Sequence, residues 1–327
     1  MQYRALGSTG YEVSSISFGA WAIGGTWGAV NDAESVRTLH RALDLGVNFF
    51  DTADVYGDGH SERLLARLRR ERREPFFVAT KVGRRSNPHT AQSYTRENLT
   101  AYVERCLKNL EVDALDLLQI HCPPTDVFYM PEVFGVLDDL VTAGKIRFYG
   151  ASVERVEEGL KALEYPALQS LQIVFNILRQ RPLEQLFPRA LERRVGILAR
   201  LPLSSGMLTG KLTRTTQFHP DDHRSFNREG AAFSKGETFS GFDYDKSLAV
   251  VEKLKALAPE GMSLPELALR FIASFPAVTC SIPGARRPEQ VEQNVKAGEK
   301  GPLPPSLLSA LAELYTTDVK PAVHQLW

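Results

Sequence analysis

Eight short apolar runs, set between amphipathic stretches, constrain this chain more than any other feature. They lie at 16–19, 47–51, 77–81, 115–121, 146–152, 171–175, 196–200 and 279–283. Apolar residues on consecutive positions suit strands that helices cover, not the alternation of a half-solvated strand. Between the runs the period becomes helical. Asn31 stands three before Glu34 and opens a stretch carrying Val36, Leu39 and Leu43, and Ser61-Glu62 opens another. Leu99, Val103, Cys106, Leu107 and Leu110 form one stripe over 95–110. The stretches 130–141, 153–163 and 183–194 share that period. Ser263 precedes Glu266 with Pro265 in the first turn, and Pro288 opens a helix reaching 297. Repeated strand–helix units imply parallel strands joined by crossover helices. Eight of them predict an α/β fold, a (β/α)8 TIM barrel, because closure removes the strand edges. An opening hairpin-like segment caps the barrel, and a long loop follows the seventh strand.

No linker or compositional break divides the 327 residues, so 1–327 reads as a single barrel domain. Lys plus Arg is 39 and Asp plus Glu is 39, a formal charge of zero. Such a chain has no general attraction for nucleic acid or anionic lipid. The three cysteines, Cys106, Cys122 and Cys280, are odd in number and widely spaced, which argues against a disulfide scaffold or thiolate metal site. No apolar run is long enough to span a membrane, and MQYRALGSTG lacks the pattern of a secretion signal. The expected setting is cytoplasmic, with no obligate protein partner.

Three consecutive runs end on groups that a buried strand otherwise avoids: Asp51, Lys81 and His121. Adjacent strands lie about 4.8 Å apart, so these ends can converge. Tyr56 follows in the loop 53–57 and can turn back over the same mouth. A phenol is a reluctant acid at neutral pH, and a nearby ammonium is expected to lower its pKa. Asp51 would keep Lys81 charged and aimed, and His121 would orient a substrate oxygen. Together they suit protonation of a carbonyl oxygen as hydride reaches its carbon. The plainer alternative is an Asp51–Lys81 ion pair closing the mouth, with His121 as its partner.

Other chemistries fit less well. Asp51, Asp54, His60 and His121 could be imagined around a metal, but the chain has no His-Glu-x-x-His. Ser204-Ser205-Gly206 is not a nucleophile elbow, and Cys122 is expected on the opposite strand face from His121. No Walker loop is present, nor a G-x-G-x-x-G after the first strand. The glycine-rich 24–28 reads as a loop near the mouth, with Trp21 or Trp27 as a lid. From 204 to about 244 no period is visible, yet Phe218, Phe226, Phe233, Phe239 and Phe242 lie there. That stretch either lies over the mouth and shapes a ligand site, or is a surface insertion held by its own aromatic cluster.

The segments FFDTADVYG at 49–57, FVATK at 77–81, LLQIHCP at 117–123 and FYGAS at 148–152 then give a resemblance. With LQIVFN at 171–176, ILARLPLSSGMLTGK at 197–211 and SIPGARRPEQVEQN at 281–294, the chain resembles the aldo-keto reductase superfamily, as a bacterial member, over nearly its whole length. That resemblance implies reduction of a small-molecule aldehyde or ketone by NADPH on a barrel scaffold, without a metal. It makes Tyr56 the general acid, tuned by Lys81 and Asp51, with His121 orienting the carbonyl. It also implies a cofactor cradle. Trp21 and Asp51 belong to it, and Ser152 and Gln172 stand where relatives hold the nicotinamide carboxamide. Val153 replaces a common asparagine, and Arg200 stands where many relatives stack a tyrosine. Leu201, Leu203, Ser205, Gly206 and Lys211 resemble the segment that contacts the pyrophosphate. Gly284, Arg286, Gln290, Gln293 and Asn294 flank a helix start suited to the adenosine 2′-phosphate. The alternative is a cofactor-binding regulatory or redox-sensing subunit with little turnover, as some relatives are on membrane channels.

Overall fold

The computed structural model describes residues 1–25 and 30–327. The expectation for Trp27 therefore lies outside the described residues. β1 (Tyr3–Ala5) and β2 (Glu12–Ser14) pair as an antiparallel hairpin. Eight parallel strands follow in chain order: β3 (Phe18–Gly19), β4 (Phe49–Asp51), β5 (Phe77–Val82), β6 (Leu115–His121), β7 (Ile146–Ser152), β8 (Leu168–Val174), β9 (Gly196–Arg200) and β10 (Val278–Ser281). The two ends of this order bond to each other. Ser17 N–H donates to the Ser281 carbonyl at 2.9 Å, Ser281 N–H to Ser15 at 3.0 Å, and Gly19 N–H to Pro283 at 3.1 Å.

All eight runs hold strands; those at 115–121, 146–152 and 196–200 match to the residue, and the other five have shifted limits. β4 starts two residues late; just before it, Asn48 ties the hairpin to the sheet, its Oδ1 accepting from Ser14 N–H at 2.7 Å and its Nδ2 donating to the Glu12 carbonyl at 2.8 Å. β8 starts at Leu168, before its most apolar stretch, since pairing with Tyr149 fixes its start. Three helix starts follow their caps, whereas the helix expected to open at Ser61 begins at His60, after Gly59 and without a side-chain cap. Asn31 Oδ1 accepts from Glu34 N–H at 3.1 Å, Thr95 Oγ1 from Asn98 N–H at 3.3 Å, and Ser263 Oγ from Glu266 N–H at 3.3 Å. Among the described residues no helix is long and apolar enough to cross a membrane.

One apolar body lies between strands and helices; a smaller one lies inside the sheet. The inner one joins Leu6 and Val13 of the hairpin to Phe49, Ala79, Leu117, Leu198 and Cys280. Burying Leu6 and Val13 contributes roughly 1.5–3 kcal/mol each. Tyr11 stacks on Phe77 with centroids 4.0 Å apart. The hairpin thus plugs the N-terminal ends of the strands and leaves polar residues at their C-terminal ends. The long segment after β9 contains short turns at Ser204–Thr209, Lys235–Glu237 and Phe239–Gly241 and a four-residue helix at His223–Phe226. The segment lies at the strand ends rather than forming a detached surface insertion, and some of its aromatics also pack on one another. Phe239 and Phe242 are buried, with Phe218 against Phe239, while Phe233 packs beside Trp21 at the strand ends.

Candidate active site

Strand register builds the site. His121 of β6 pairs with Ser152 of β7, which pairs with Gln172 of β8, so three polar side chains stand abreast. Lys81 of β5 pairs with Gln119 of β6 one level below. Lys81 is fully buried, and its Nζ donates to Asp51 Oδ1 at 2.6 Å and to the Thr52 carbonyl at 2.8 Å. The same nitrogen lies 3.4 Å from the Tyr56 hydroxyl. Gly57, at φ +61°, makes the turn that returns Tyr56; a Cβ there would lie 1.8 Å from the Gly24 carbonyl oxygen. The Tyr56 ring meets His121 edge-on at 5.9 Å and stacks towards Trp21 at 6.0 Å. The four residues singled out at the strand ends and in the Tyr56 loop are therefore brought together.

The electrostatics correct one expectation. Burial pushes the Tyr56 pKa up, and Lys81, which pulls it down, does not overcome that burial. The phenol's pKa is raised rather than lowered. Burial pulls on Lys81 in the opposite sense, but Asp51 and Tyr56 prevail and the ammonium is strengthened. Burial drives His121 well below its usual range, helped by the cations Arg84, Lys81 and Arg200. His121 is therefore a neutral ring at neutral pH.

A cavity of about 410 Å³ opens over these groups, within the usual size of a small-molecule site. Tyr56, His121, Asp51 and Trp21 line it, and so do Ser152, Gln172 and Arg200. Leu201, Leu203, Ser205, Gly206 and Lys211 form one side, and Gly284, Arg286 and Gln290 another. Lys81 stands behind Asp51, outside the lining. Gln293 and Asn294 also lie outside it, on the helix Pro288–Glu299; Gln293 faces solvent and Asn294 is buried. Several of the lining groups already have partners. Gln172 Nε2 donates to Asp51 Oδ2 at 2.7 Å. The Ser205 hydroxyl donates to the Glu237 carbonyl at 3.1 Å and accepts from Phe239 N–H at 3.2 Å. Gln290 Oε1 accepts from Arg286 N–H at 2.8 Å, closing the helix start.

Sequence reasoning missed four charged residues here. Arg224 and Glu237 of the long segment line the cavity, and Arg84 and Glu154 stand next to it. Arg200 Nη2 lies 3.1 Å from Glu154 Oε1, and its Nη1 lies 3.7 Å from Glu237 Oε2. Arg84 Nη2 lies 2.5 Å from Glu237 Oε1. Arg84 and Glu154 carry a weak signal, each being a charge just past a strand end. Arg224 and Glu237 carry none, because their stretch has no period. Cys122 is also placed differently than expected. It leaves the strand at φ +43° and sets its Sγ 3.3 Å from Ser152 Oγ. With Glu154 and Glu237 it forms the group of ligand-type atoms that converges among the described residues. Both carboxylates are held by guanidiniums, and burial pushes the thiol up to about 12, so this group is ill suited to a cation.

Known proteins match this chain over most of its length. The profile of the aldo/keto reductase family matches residues 15–316. An aldo-keto reductase of Bacillus subtilis is 33% identical over 298 residues, covering 89% of this chain and 87% of its own. A probable voltage-gated potassium channel subunit beta of Arabidopsis thaliana is 30% identical over 316 residues, 93% of each chain. The solved structure of a glycerol dehydrogenase from Gluconobacter oxydans superposes with a TM-score of 0.78 at 30% identity, over 97% of this chain and 96% of that one. A profile match of that extent, met by relatives at this identity over nearly full length, leaves one assignment: the chain belongs to the aldo/keto reductase family.

Proposed function

We propose that this protein reduces the carbonyl of a small aldehyde or ketone to an alcohol using NADPH, with Tyr56 as general acid. Family membership supports oxidoreductase chemistry in general. The observation that carries the finer reading is the Tyr56 hydroxyl 3.4 Å from a buried Lys81 ammonium, which Asp51 holds at 2.6 Å beside the cavity. We read the eight strands as a closed (β/α)8 barrel forming one domain, with the site at the C-terminal mouth.

The lining residues fit a dinucleotide. At one end Ser152, Gln172 and Arg200 offer a hydroxyl, an amide and a guanidinium, and elsewhere Lys211, Arg224 and Arg286 offer cationic groups for phosphates. The bound nicotinamide supplies hydride. Tyr56 gives its proton to the developing alkoxide, and Lys81 stabilises the phenolate left behind. Asp51 keeps Lys81 protonated and fixed, and neutral His121 orients the carbonyl oxygen. The basic groups beside the helix start at Pro288 favour the extra phosphate of NADPH over NADH. No protein partner is needed for this chemistry.

Changing Tyr56→Phe removes the proton donor without touching Ser152, Gln172 or Arg200. Turnover of a generic aromatic aldehyde falls about 10²–10⁴-fold while NADPH still binds, read by NADPH absorbance and by fluorescence titration. Near wild-type turnover in the variant would show that another group donates the proton. The similarity to a potassium channel subunit favours a second reading, a cofactor-binding regulatory subunit. Negligible wild-type turnover across a carbonyl panel, together with co-purification of a membrane protein, would establish that reading instead.

A further inference from the structure

We propose that Glu237 and Glu154, through the guanidinium of Arg200, set which oxidation state of the nicotinamide cofactor this site holds more tightly. The inference rests on the reductase reading, because it needs the nicotinamide near Tyr56 and His121. It starts from an ion cluster that the proton-donating machinery does not use. Arg84, Glu154, Arg200 and Glu237 are mutually paired at 2.5 to 3.7 Å, and all are largely withdrawn from water. They come from four separate segments: the loops after β5 and β7, the end of β9, and the long stretch after it. Arg200 and Glu237 reach the cavity; Arg84 and Glu154 stand behind them.

Position decides what such a cluster can do. Hydride must reach a carbon whose oxygen faces Tyr56 and His121, so the nicotinamide must lie over their cavity neighbours. Those neighbours are Ser152, Gln172 and Arg200, at the ends of β7, β8 and β9, with Val174 of β8 paired to Arg200 in register. The dinucleotide's phosphates, riboses and adenine are the same in both oxidation states. Only the nicotinamide differs: neutral when reduced, singly positive when oxidised. A charge at this end of the cavity therefore discriminates between the states, and a phosphate contact does not.

Arg200 alone would repel the oxidised ring. Two carboxylates bracket it, and Glu237 also neutralises Arg84, so these four groups carry two charges of each sign, with buried Arg179, whose Nη2 donates to the Glu154 carbonyl at 2.6 Å, as a further cation beside them. The low local dielectric makes each of these charges felt at the ring. Removing one carboxylate makes the cluster one unit more positive and weakens the oxidised form selectively. Removing Arg200 makes it one unit more negative and favours the oxidised form.

The test measures Kd for NADP+ and for NADPH separately, by calorimetry and by tryptophan fluorescence. In Glu237→Gln the ratio Kd(NADP+)/Kd(NADPH) rises on the order of tenfold. In Arg200→Gln the same ratio falls by a similar factor. A tenfold change corresponds to about 30 mV in the two-electron potential of the bound cofactor, positive for Glu237→Gln and negative for Arg200→Gln. Glu154→Gln shifts the ratio in the same direction as Glu237→Gln and replaces it if that variant does not fold. A cluster that only holds the long segment in place would change both affinities alike. A ratio within twofold of wild type in the folded variants therefore overturns the proposal. Failure of the wild type to bind either nucleotide overturns the reductase reading itself, and this proposal with it.

Discussion

At the scale of single residues, burial outweighs neighbouring charge more often than sequence logic suggests. Tyr56 has an ammonium 3.4 Å away, yet burial lifts its pKa above the ordinary value of 10. The phenol is therefore protonated across the neutral range, the form reduction needs. His121 is neutral over the same range and adds no ionisation of its own. Single-turnover reduction is expected to stay flat from about pH 6 to 9 and to decline only above about 10. Alcohol oxidation, which needs the phenolate, should rise with pH through that range. A reduction limb titrating near pH 7 would contradict this assignment. Asp54, two residues before Tyr56, shows the same physics in a carboxylate. It is fully buried, its ion pair with Arg85 is long at 4.0 Å, and burial together with Glu62 raises its pKa to about 7. Because the folded-state pKa lies above the unfolded value of 3.8, the folded state binds the proton more tightly. That contribution is fully present below about pH 4 and is lost as the pH rises through 7. Asp54→Asn should accordingly gain stability over wild type across that window, on the order of 2–4 kcal/mol by pH 8. Denaturant melts at pH 5 and pH 8 read the difference; an equal gap at both would refute it.

At the scale of elements, the strands and helix starts were legible because each needs only neighbours in sequence. Asn31, Thr95 and Ser263 cap the helices they precede, Asp51 and His121 end their strands, and Lys81 stands one residue before the end of its own. Limits were less legible, since cross-strand pairing sets them, as at β8. Gly150 in β7 shows how strict that pairing is. It sits in register between Gln119 and Ser170, and a Cβ there would fall 2.0 Å from Ser170 Oγ and 2.5 Å from the Ser170 carbonyl oxygen. The hydroxyl can turn away, but the carbonyl belongs to β8 and cannot. Gly150→Ala is expected to cost about 3 kcal/mol, measured as a shift in denaturation midpoint at constant slope. A loss below about 0.5 kcal/mol would mean that β7 and β8 are set further apart.

At the scale of the whole molecule, the hairpin seals one end of the sheet with Leu6 and Val13, and the long segment after β9 covers part of the other. The C-terminus helps hold that segment. Arg179 lies 4.1 Å over the Trp327 ring, and both pack against Gly236, next to Glu237. The sequence alone determined the repeated strand–helix order and the polar groups at the strand ends. Hydrophobic period and capping act over a few residues, so one dimension suffices to read them. Only the tertiary structure decided that Arg84, Glu154, Arg200 and Glu237 become one ion cluster, that Gln172 bonds to Asp51, and that burial raises rather than lowers the Tyr56 pKa. Each of these depends on distance and solvent exclusion between segments far apart in the chain, and no local pattern encodes either.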